Sequence, residues 1–545
     1  MSFALLLGAG SAGIAEEASK RPAVWQSLRL DPAIFADVAQ VWEVIGSADN
    51  PVWPGWNAST TPVLIYFPGE QEVLLNHPHP PADYIRADGL LPLTRRPTAR
   101  VWVRNGKTQF DSDGQNTRTE INGVSTLVVA DTSSNMRSSL RSLLRASGPA
   151  AERDDQLTLD ALSSNPYKTL AMIAHEAFHV FQHAHAAEKE VSEGLLLEYP
   201  TLSVDNNLGV ALEGRALAAA LRARTTPEVV KAAREVMAVR AWRRRLLPAN
   251  AVTYEDGTEF TEGLAKFVEY ALIQALEGRK PIAEMAWVRG FAGFEDMSGP
   301  RATLVQALID NTDGTNLVNN DPFGAAPVRF RLYYSGMALA AVLDRLGAHD
   351  WRTRILRPGT TLTGLLTERL GSFDQQAVLK AALHSNEAAQ QRGRVERLAS
   401  DGRIANQALL TSILTSVPET PSWRLEIDYS ALGAPRASFG YTPFGTTTLS
   451  PSRVIYKQVR VSGTIETGGK FKQLQPSPLL HDRNARTVTF RIDGGPPKID
   501  VVRASAGSLA GFTLPGVTLD FAYGEVHVRG DTVVIRLVPK PTGLG

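Results

Sequence analysis

The pattern of hydrophobic and polar positions changes twice along the chain. Between about residues 61 and 131, short apolar runs are separated by Pro- and Gly-rich stretches, which is typical of strands and turns. From about 165 to 388 the apolar positions recur at helical spacing, and after about 423 the period returns to two. The strands predicted in the first part are 62–67, 72–75, 99–106 and 123–131.

The second change of pattern follows the Pro-rich segment 415–423, which we interpret as a domain boundary. Beyond it, 488–493, 517–523 and 526–537 read as strands, and the Arg-Gly-Asp triplet at 529–531 is predicted to be a hairpin turn. We therefore expect an α+β protein with four parts. These are a signal segment 1–15, a β-rich part 16–160, a helical region 161–414 and an all-β C-terminal domain 420–545.

Composition restricts the partners and the chemistry. The 545 residues include 57 basic and 56 acidic side chains, and this net charge of +1 gives no reason to expect nucleic acid as a partner. No apolar run after the N-terminus reaches the roughly 18 residues of a membrane-spanning helix. Because the chain has no cysteine, a metal site here must use histidine and carboxylate ligands. Nothing in the sequence indicates the oligomeric state.

The first fifteen residues, MSFALLLGAGSAGIA, are apolar and end in small residues. This is typical of a secretory signal sequence, although no Lys or Arg precedes the apolar stretch. We expect export to the periplasm or the medium, with a cytoplasmic protein as the alternative.

The most informative motif is a His-Glu-x-x-His sequence formed by His175, Glu176 and His179. Asn165 and Pro166 form an N-cap and a first helical position, and apolar residues continue at helical spacing through the motif, which predicts a helix. Positions 175 and 179 then differ by about 40° around the axis, so both imidazoles point to one place. The motif predicts one bound Zn²⁺, with Glu176 as general base towards a water molecule.

The third ligand is open between a histidine and a carboxylate. His185 stands six residues after His179, where metzincins place their third histidine, but Gln182 occupies the position of the required glycine. On a continuing helix His185 points about 100° away from the ligand face, so we interpret it as a surface group or one that supports the ligands. His183 is a candidate for supporting a ligand or lining the substrate pocket.

Three downstream glutamates remain as candidates. Glu198 has the short spacing found in thermolysin-like enzymes, but Tyr199 and Pro200 follow at once and should end its helix. Glu213 lies in a strong helical pattern, and both residues stay open as alternatives to the third candidate, Glu262.

Glu262 is preferred because of the segment around it. Asp256 and Glu259 predict a capping box, and Gly263 permits close approach to another helix. A buried stripe is also predicted at helical spacing, formed by Phe260, Leu264, Phe267 and Ala271.

Three motifs carry a family resemblance. HEAFH together with TEGLAKFVE at 261–269 resembles the zinc site of gluzincin metallopeptidases, and the second motif is similar to the N-E-G-F-A-x-Y-x-E helix of the alanyl aminopeptidase family. YYSGMALAAVLDRLG at 333–347 resembles the Y-x-x-G helix start of that family. The resemblance implies a zincin-like fold, Glu262 as third zinc ligand, and Tyr333 or its neighbour Tyr334 as donor to the transition-state oxyanion. The chain has no G-x-M-E-N sequence, so aminopeptidase specificity is not implied.

These observations predict a zinc metallohydrolase that acts on peptide or protein substrates. The alternative is a catalytically inactive zincin-like protein whose β domain recognises a partner, although a purely structural metal site has no use for Glu176. Two further interpretations concern the surroundings of the site. The Arg-rich segment 240–245 is interpreted as a solvated helix face, and strand 123–131 as either an internal strand or an edge that pairs with an extended substrate.

Overall fold

A computed structural model describes the chain between residues 27 and 540. The described ranges are 27–96, 98–106, 108–109, 116–131, 165–315, 323–415, 421–433, 435–440, 445–457, 460–497 and 507–540. The predicted signal segment 1–15 lies outside these residues. The chain forms two compact units, one combining Met1–Ala187 with Ala265–Ala302 and the other Glu188–Leu264 with Thr303–Gly545.

The first unit contains a six-stranded sheet. Its strands are β1 Val63–Phe67, β2 Gln71–Leu75, β3 Ile85–Arg86, β4 Val101–Asn105, β5 Thr117–Ile121 and β6 Val124–Ala130. Their spatial order is β3-β4-β2-β1-β6-β5, and β1 and β6 are parallel while the other pairs are antiparallel. The four strands predicted from the sequence are confirmed as β1, β2, β4 and β6. Because β6 lies between β1 and β5, it is an internal strand, which decides the alternative that the sequence left open.

The described helices lie between residues 32 and 414. They are α1 Pro32–Ile45, α2 Leu91–Thr94, α3 Pro166–Ala186, α4 Val204–Arg222, α5 Thr226–Arg244, α6 Ala249–Thr258, α7 Leu264–Leu276, α8 Ser298–Thr312, α9 Ala325–Arg345, α10 Trp351–Ile355, α11 Leu362–Leu370, α12 Gln375–Leu383 and α13 Asn386–Leu414. Short 3₁₀ helices cover Ala58–Thr60, Asp88–Leu90, Ala187–Lys189, Glu193–Glu198, Ala283–Trp287 and Ser430–Leu432. None of the helices in the described part of the chain combines the length and the apolar character that a membrane span needs.

Helix α3 begins where the sequence predicts. The side chain of Asn165 accepts hydrogen bonds from the backbone N–H groups of Tyr167 and Lys168, which satisfies two donors that have no partner within the helix. The helix then runs without a break to Ala186. The buried ring of Phe178 packs against Trp53 at 4.7 Å between ring centroids, which anchors the middle of α3 within its unit.

The segment around Glu262 departs from its predicted start. Helix α6 begins at Ala249, and a π turn at Glu259–Gly263 connects it directly to α7. The predicted capping box of Asp256 and Glu259 is therefore wrong, since both residues lie well inside the helical run. Their carboxylates instead face arginines of α5, because pairing with a buried cation satisfies a carboxylate more fully than a cap would. The predicted apolar stripe from Phe260 to Ala271 is buried as expected.

The interpretation of 240–245 as a solvated face is also wrong. Arg240 and Arg243 are each only 1% exposed. Arg240 Nε donates to Glu213 Oε1 at 2.8 Å, and Arg243 Nη2 donates to Glu213 Oε2 at 3.1 Å. Carboxylates from α4 and α6 neutralise these arginines, and that pairing allows an arginine run to be buried.

Two sheets form the C-terminal region. The strands are β7 Ser422–Asp428, β8 Ala437–Gly440, β9 Thr446–Ser450, β10 Arg453–Tyr456, β11 Ser462–Ile465, β12 Gly469–Gln473, β13 Leu479–Asp482, β14 Thr487–Asp493, β15 Gly507–Ser508, β16 Val517–Phe521, β17 Tyr523–Arg529 and β18 Thr532–Leu537. One sheet has the order β15-β17-β18-β7-β14-β13-β10-β9 and the other β16-β12-β11-β8. They share one hydrophobic core, to which Trp423 and Phe490 come from the first sheet and Phe471 and Phe521 from the second.

The Arg-Gly-Asp triplet forms the turn between β17 and β18, as predicted. Gly530 has a φ of 60°, which a glycine adopts without steric cost, and Asp531 accepts a hydrogen bond from Arg491 at 2.9 Å.

The order of the helices and strands confirms the predicted sequence of a β region, a helical middle part and C-terminal β sheets.

Candidate metal centre

Helix α3 presents His175 and His179 one turn apart on the same face. The centroids of the two imidazole rings are 4.8 Å apart. His175 is buried and His179 is half-buried. This is the placement of the two histidines that the helical spacing predicts. Glu176, which follows His175 on the same helix, is half-buried.

A carboxylate orients the first histidine. Nδ1 of His175 lies 2.7 Å from Oε1 of Glu269, a buried residue of α7. Burial alone would raise the pKa of Glu269, but the charge of Lys266 and the hydrogen bond with His175 outweigh it and lower this pKa to about 2. Glu269 is therefore ionised at neutral pH, and a proton on Nδ1 of His175 would face its carboxylate, which would leave Nε2 as the atom for a metal.

A side-chain amide orients the second histidine. Nδ1 of His179 lies 2.9 Å from Oε1 of Gln182, and an amide oxygen can only accept a hydrogen bond. A proton on Nδ1 of His179 would be donated to this oxygen and would leave Nε2 for a metal. Gln182 thus contacts a proposed metal ligand, whereas the sequence indicated only that it occupies the position of the metzincin glycine.

Glu262 completes a possible ligand set. One ligand atom from each of His175, His179 and Glu262 lies within 4.8 Å of the others. Two neutral imidazoles and a carboxylate are a donor set that suits a divalent ion, so this group could bind a metal. The structure therefore brings together the three residues that the sequence singled out as ligands.

Glu262 lies within the π turn Glu259–Gly263, which contacts α9 closely. A Cβ atom on Gly263 would lie 2.7 Å from the Cα atom of Gly336 in α9, so the two backbones cross in direct contact, as the small residue predicts. π turns are rare and are often found at functional sites. At the first residue of this turn, Glu259 accepts two hydrogen bonds of 2.7 Å from Arg240 and a third of 2.6 Å from Ser335. Glu259 is thus held towards buried partners.

Helix α9 supplies the partners of Glu262. Arg329 Nη2 donates to Glu262 Oε1 at 2.8 Å, and the Tyr333 hydroxyl is also hydrogen-bonded to Glu262. Burial and the negative charge of Glu262 raise the pKa of Tyr333, so its phenol stays protonated at neutral pH. Tyr334 is half-buried on the same helix.

The two alternative glutamates lie outside the ligand group. Glu213 is bonded to Arg240 and Arg243, and although burial alone would raise its pKa, their charges lower it. Glu198 ends a 3₁₀ helix and accepts a hydrogen bond of 2.7 Å from Asn250.

The other histidines of α3 do not join this group. His185 Nδ1 lies 2.8 Å from the carbonyl oxygen of Phe181, and the His185 ring packs on the Phe181 ring with centroids 4.1 Å apart. His183 is half-buried near the end of the helix.

The sequence reading missed two charged residues, although a signal existed for each. Glu269 ends the TEGLAKFVE motif, seven residues or two turns after Glu262, so both carboxylates follow one helix face. Arg329 precedes Tyr333 by four residues on α9, a spacing that makes the two side chains neighbours.

Comparisons with protein-family models, curated proteins and solved structures found no match to this chain.

Proposed function

We propose that this protein is a zinc-dependent peptidase with a zincin-like, gluzincin-type catalytic region. His175, His179 and Glu262 would hold one Zn²⁺, and Glu176 would act as general base. The observation that carries the proposal is the convergence of the three ligand atoms within 4.8 Å. The partners on Nδ1 of each histidine support it, because they present Nε2 of both rings for coordination.

The donor set supports zinc among the divalent ions. Catalytic zinc sites commonly use three protein ligands from histidine and carboxylate and keep one position for water or substrate. When bound, zinc would make a water molecule acidic near neutral pH and polarise the substrate carbonyl. Calcium and magnesium prefer oxygen-only ligands, which two imidazoles do not provide.

Glu176 carries the proton in the proposed reaction. Its carboxylate takes a proton from the attacking water and passes it to the amine nitrogen that leaves the cleaved peptide bond. Glu176 directly follows His175 on α3, so the base and the first ligand are positioned by the same helix.

Tyr333 is the proposed donor to the developing oxyanion, with Tyr334 as the alternative. The raised pKa of Tyr333 keeps the hydroxyl proton in place at neutral pH, as a donor requires. In the structure this hydroxyl accepts a hydrogen bond from Arg329 and is bonded to Glu262. Donation to a substrate would therefore require the hydroxyl to turn from Glu262 towards the substrate oxygen.

The substrate class and the location are further parts of the proposal. The similarity of the HEAFH and TEGLAKFVE motifs to gluzincin metallopeptidases supports a peptide or protein substrate. The apolar N-terminal segment supports export.

The experiment measures zinc content and hydrolysis of a broad peptide library in wild type and in Glu176→Gln. We expect one zinc per chain in both proteins and a loss of turnover of about 10²- to 10⁴-fold in the variant, because only the base is removed. Full activity in Glu176→Gln would refute the assignment. One bound zinc without hydrolysis in wild type would support the inactive scaffold instead.

A further inference from the structure

Arg329 contacts the proposed metal ligand Glu262 and two other side chains at once. Its Nη2 donates to Glu262 Oε1 at 2.8 Å, its Nε donates to Glu193 Oε1 at 2.8 Å, and its Nη1 donates to the Tyr333 hydroxyl. The guanidinium also lies over the Tyr333 ring, 5.1 Å from its centroid. Three different donor groups of one planar side chain are therefore used, and rotating the guanidinium would break all three bonds together.

Glu193, a hydrogen-bond partner of Arg329, is itself bonded to a buried residue. Glu193 Oε2 accepts a hydrogen bond of 3.0 Å from the hydroxyl of Tyr254, whose side chain is fully buried in α6. Arg329 is 19% exposed and Glu262 15%, so water screens this ion pair only partly. The chain of contacts from Tyr254 through Glu193 and Arg329 ends at the carboxylate of Glu262.

Holding a carboxylate in this way has a consequence for metal binding. A glutamate side chain has three rotatable bonds, and ordering it on binding costs conformational entropy. A ligand side chain that is already ordered avoids this entropy cost. Residues that hydrogen-bond to metal ligands change metal affinity by about 10- to 100-fold.

We propose that Arg329 is a positioning residue that holds the carboxylate of Glu262 in place for the metal. Glu193 is the anchor that fixes Arg329. The inference rests on the proposed metal site and adds to it a residue that neither binds the metal nor reacts with substrate.

Charge and geometry must be separated in the test, because they act in opposite directions. Removing the positive charge of Arg329 would reduce its repulsion of a cation and raise metal affinity, whereas loss of positioning would lower it. Arg329→Lys keeps the charge but loses the planar fork that bonds Glu193, Tyr333 and Glu262 simultaneously. This variant therefore reports positioning alone.

The experiment measures the zinc dissociation constant by competition with a chromophoric chelator in the full-length protein. We expect Arg329→Lys to raise this constant by about 10-fold or more. The matched control is Arg345→Lys on the same helix, whose guanidinium donates to the carbonyl oxygens of Leu221 and Ala223, and it should leave the constant unchanged. A constant within about twofold of wild type in Arg329→Lys would overturn the proposal.

A double variant shows whether Arg329 acts through Glu262. In a Glu262→Gln background, adding Arg329→Lys should change the zinc dissociation constant by less than about twofold, because coupled residues are not additive. The full single-variant effect in that background would overturn positioning through Glu262. If Arg329→Lys does not fold, Glu193→Asp tests the proposal instead. Aspartate keeps the negative charge, but its side chain is too short to bond both Arg329 and Tyr254. It should weaken zinc binding in the same direction, and an unchanged constant would count against the proposal.

The outcome for wild type separates the two proposals. If wild type binds no zinc, the proposed function fails and this inference falls with it. If wild type binds one zinc and Arg329→Lys binds it equally well, only the inference fails.

Discussion

Nδ1 of His175 lies 2.7 Å from Oε1 of Glu269, a carboxylate two helical turns beyond Glu262 on the same helical run. One helical run therefore supplies both a proposed ligand and the group that orients another ligand. Lys266 Nζ lies 2.7 Å from the same oxygen and helps to keep Glu269 ionised.

Replacing Glu269 by Gln should weaken zinc binding by about 10- to 100-fold, because His175 would lose the charged acceptor that fixes its Nδ1 proton. Competition with a chelator measures the change. The control is Glu277→Gln just beyond the end of α7, where Glu277 pairs with Arg301 instead, and its zinc affinity should stay at the wild-type value. Wild-type affinity in Glu269→Gln would show that this carboxylate does not support the ligand.

The identity of the third ligand is tested by zinc content. Glu262→Ala should contain clearly less than one zinc per chain after dialysis, because two imidazoles alone hold the ion weakly. Glu198→Ala should retain one zinc, since the Glu198 carboxylate bonds to Asn250 rather than to the ligand group. Loss of zinc from Glu198→Ala with zinc retained in Glu262→Ala would reverse the assignment.

The buried cluster around Glu255 predicts acid sensitivity. Glu255 is fully buried and bonds to Arg243, to Arg244 and to the Tyr199 hydroxyl. Burial alone would raise its pKa, but the arginine charges hold it well below the ordinary value of 4.5. The stability that ionised Glu255 contributes is therefore complete above pH 4.5 and is lost as the pH falls below that value.

Urea unfolding at several pH values measures this effect. Glu255→Gln should lower the free energy of unfolding by about 3–5 kcal/mol near neutral pH, because the buried Arg243 and the partly buried Arg244 lose a charged partner. Its stability should also fall less steeply than that of wild type on acidification. The control is Glu368→Gln, which breaks an exposed pair with Arg354 and should leave both measurements unchanged. Identical pH profiles for wild type and Glu255→Gln would contradict this account.

The crossing of Gly263 and Gly336 leaves no room for a side chain. A Cβ atom on Gly336 would lie 2.7 Å from the Cα atom of Gly263 and 2.7 Å from the carbonyl oxygen of Glu259, and backbone atoms cannot move aside locally. Gly336→Ala should therefore lower the free energy of unfolding by about 1–3 kcal/mol, which chemical denaturation measures.

Gly393 of α13 provides the comparison for this substitution. The nearest atom to a Cβ at Gly393 is Arg397 Nη1 at 3.7 Å, an ordinary contact. Gly393→Ala should stabilise the protein by about 0.5–1 kcal/mol, because alanine favours the helix. If Gly336→Ala were as stable as Gly393→Ala, the direct backbone crossing would be wrong.

Predictions from the sequence succeeded where short-range pattern carries the information. The start of α3 at Asn165 and Pro166 follows from capping chemistry, and the relation of His175 to His179 follows from the helical repeat. The hairpin at 529–531 follows likewise from turn chemistry.

Predictions failed where a side chain's environment depends on distant parts of the chain. The arginines at 240 and 243 look solvent-exposed from their neighbours along the sequence, and only facing carboxylates at 213, 255 and 259 make their burial favourable. The capping box predicted at 256 and 259 failed for the same reason, because those carboxylates pair with arginines of α5.

Local spacing was enough to place two histidines and a glutamate on one helix, since the geometry of a helix is the same wherever it forms. Local spacing does not determine which downstream glutamate lies near the two histidines. Helical periodicity gives the face on which Glu198, Glu213 or Glu262 lies but not what that face meets. Long-range packing brings Glu262, and not the other two, close to the histidines. Three contacts near the site join segments that are far apart in the chain, so they depend on the whole fold. They are the crossing of Gly263 and Gly336, the bond from Arg329 to Glu262, and the pair of Glu269 with His175.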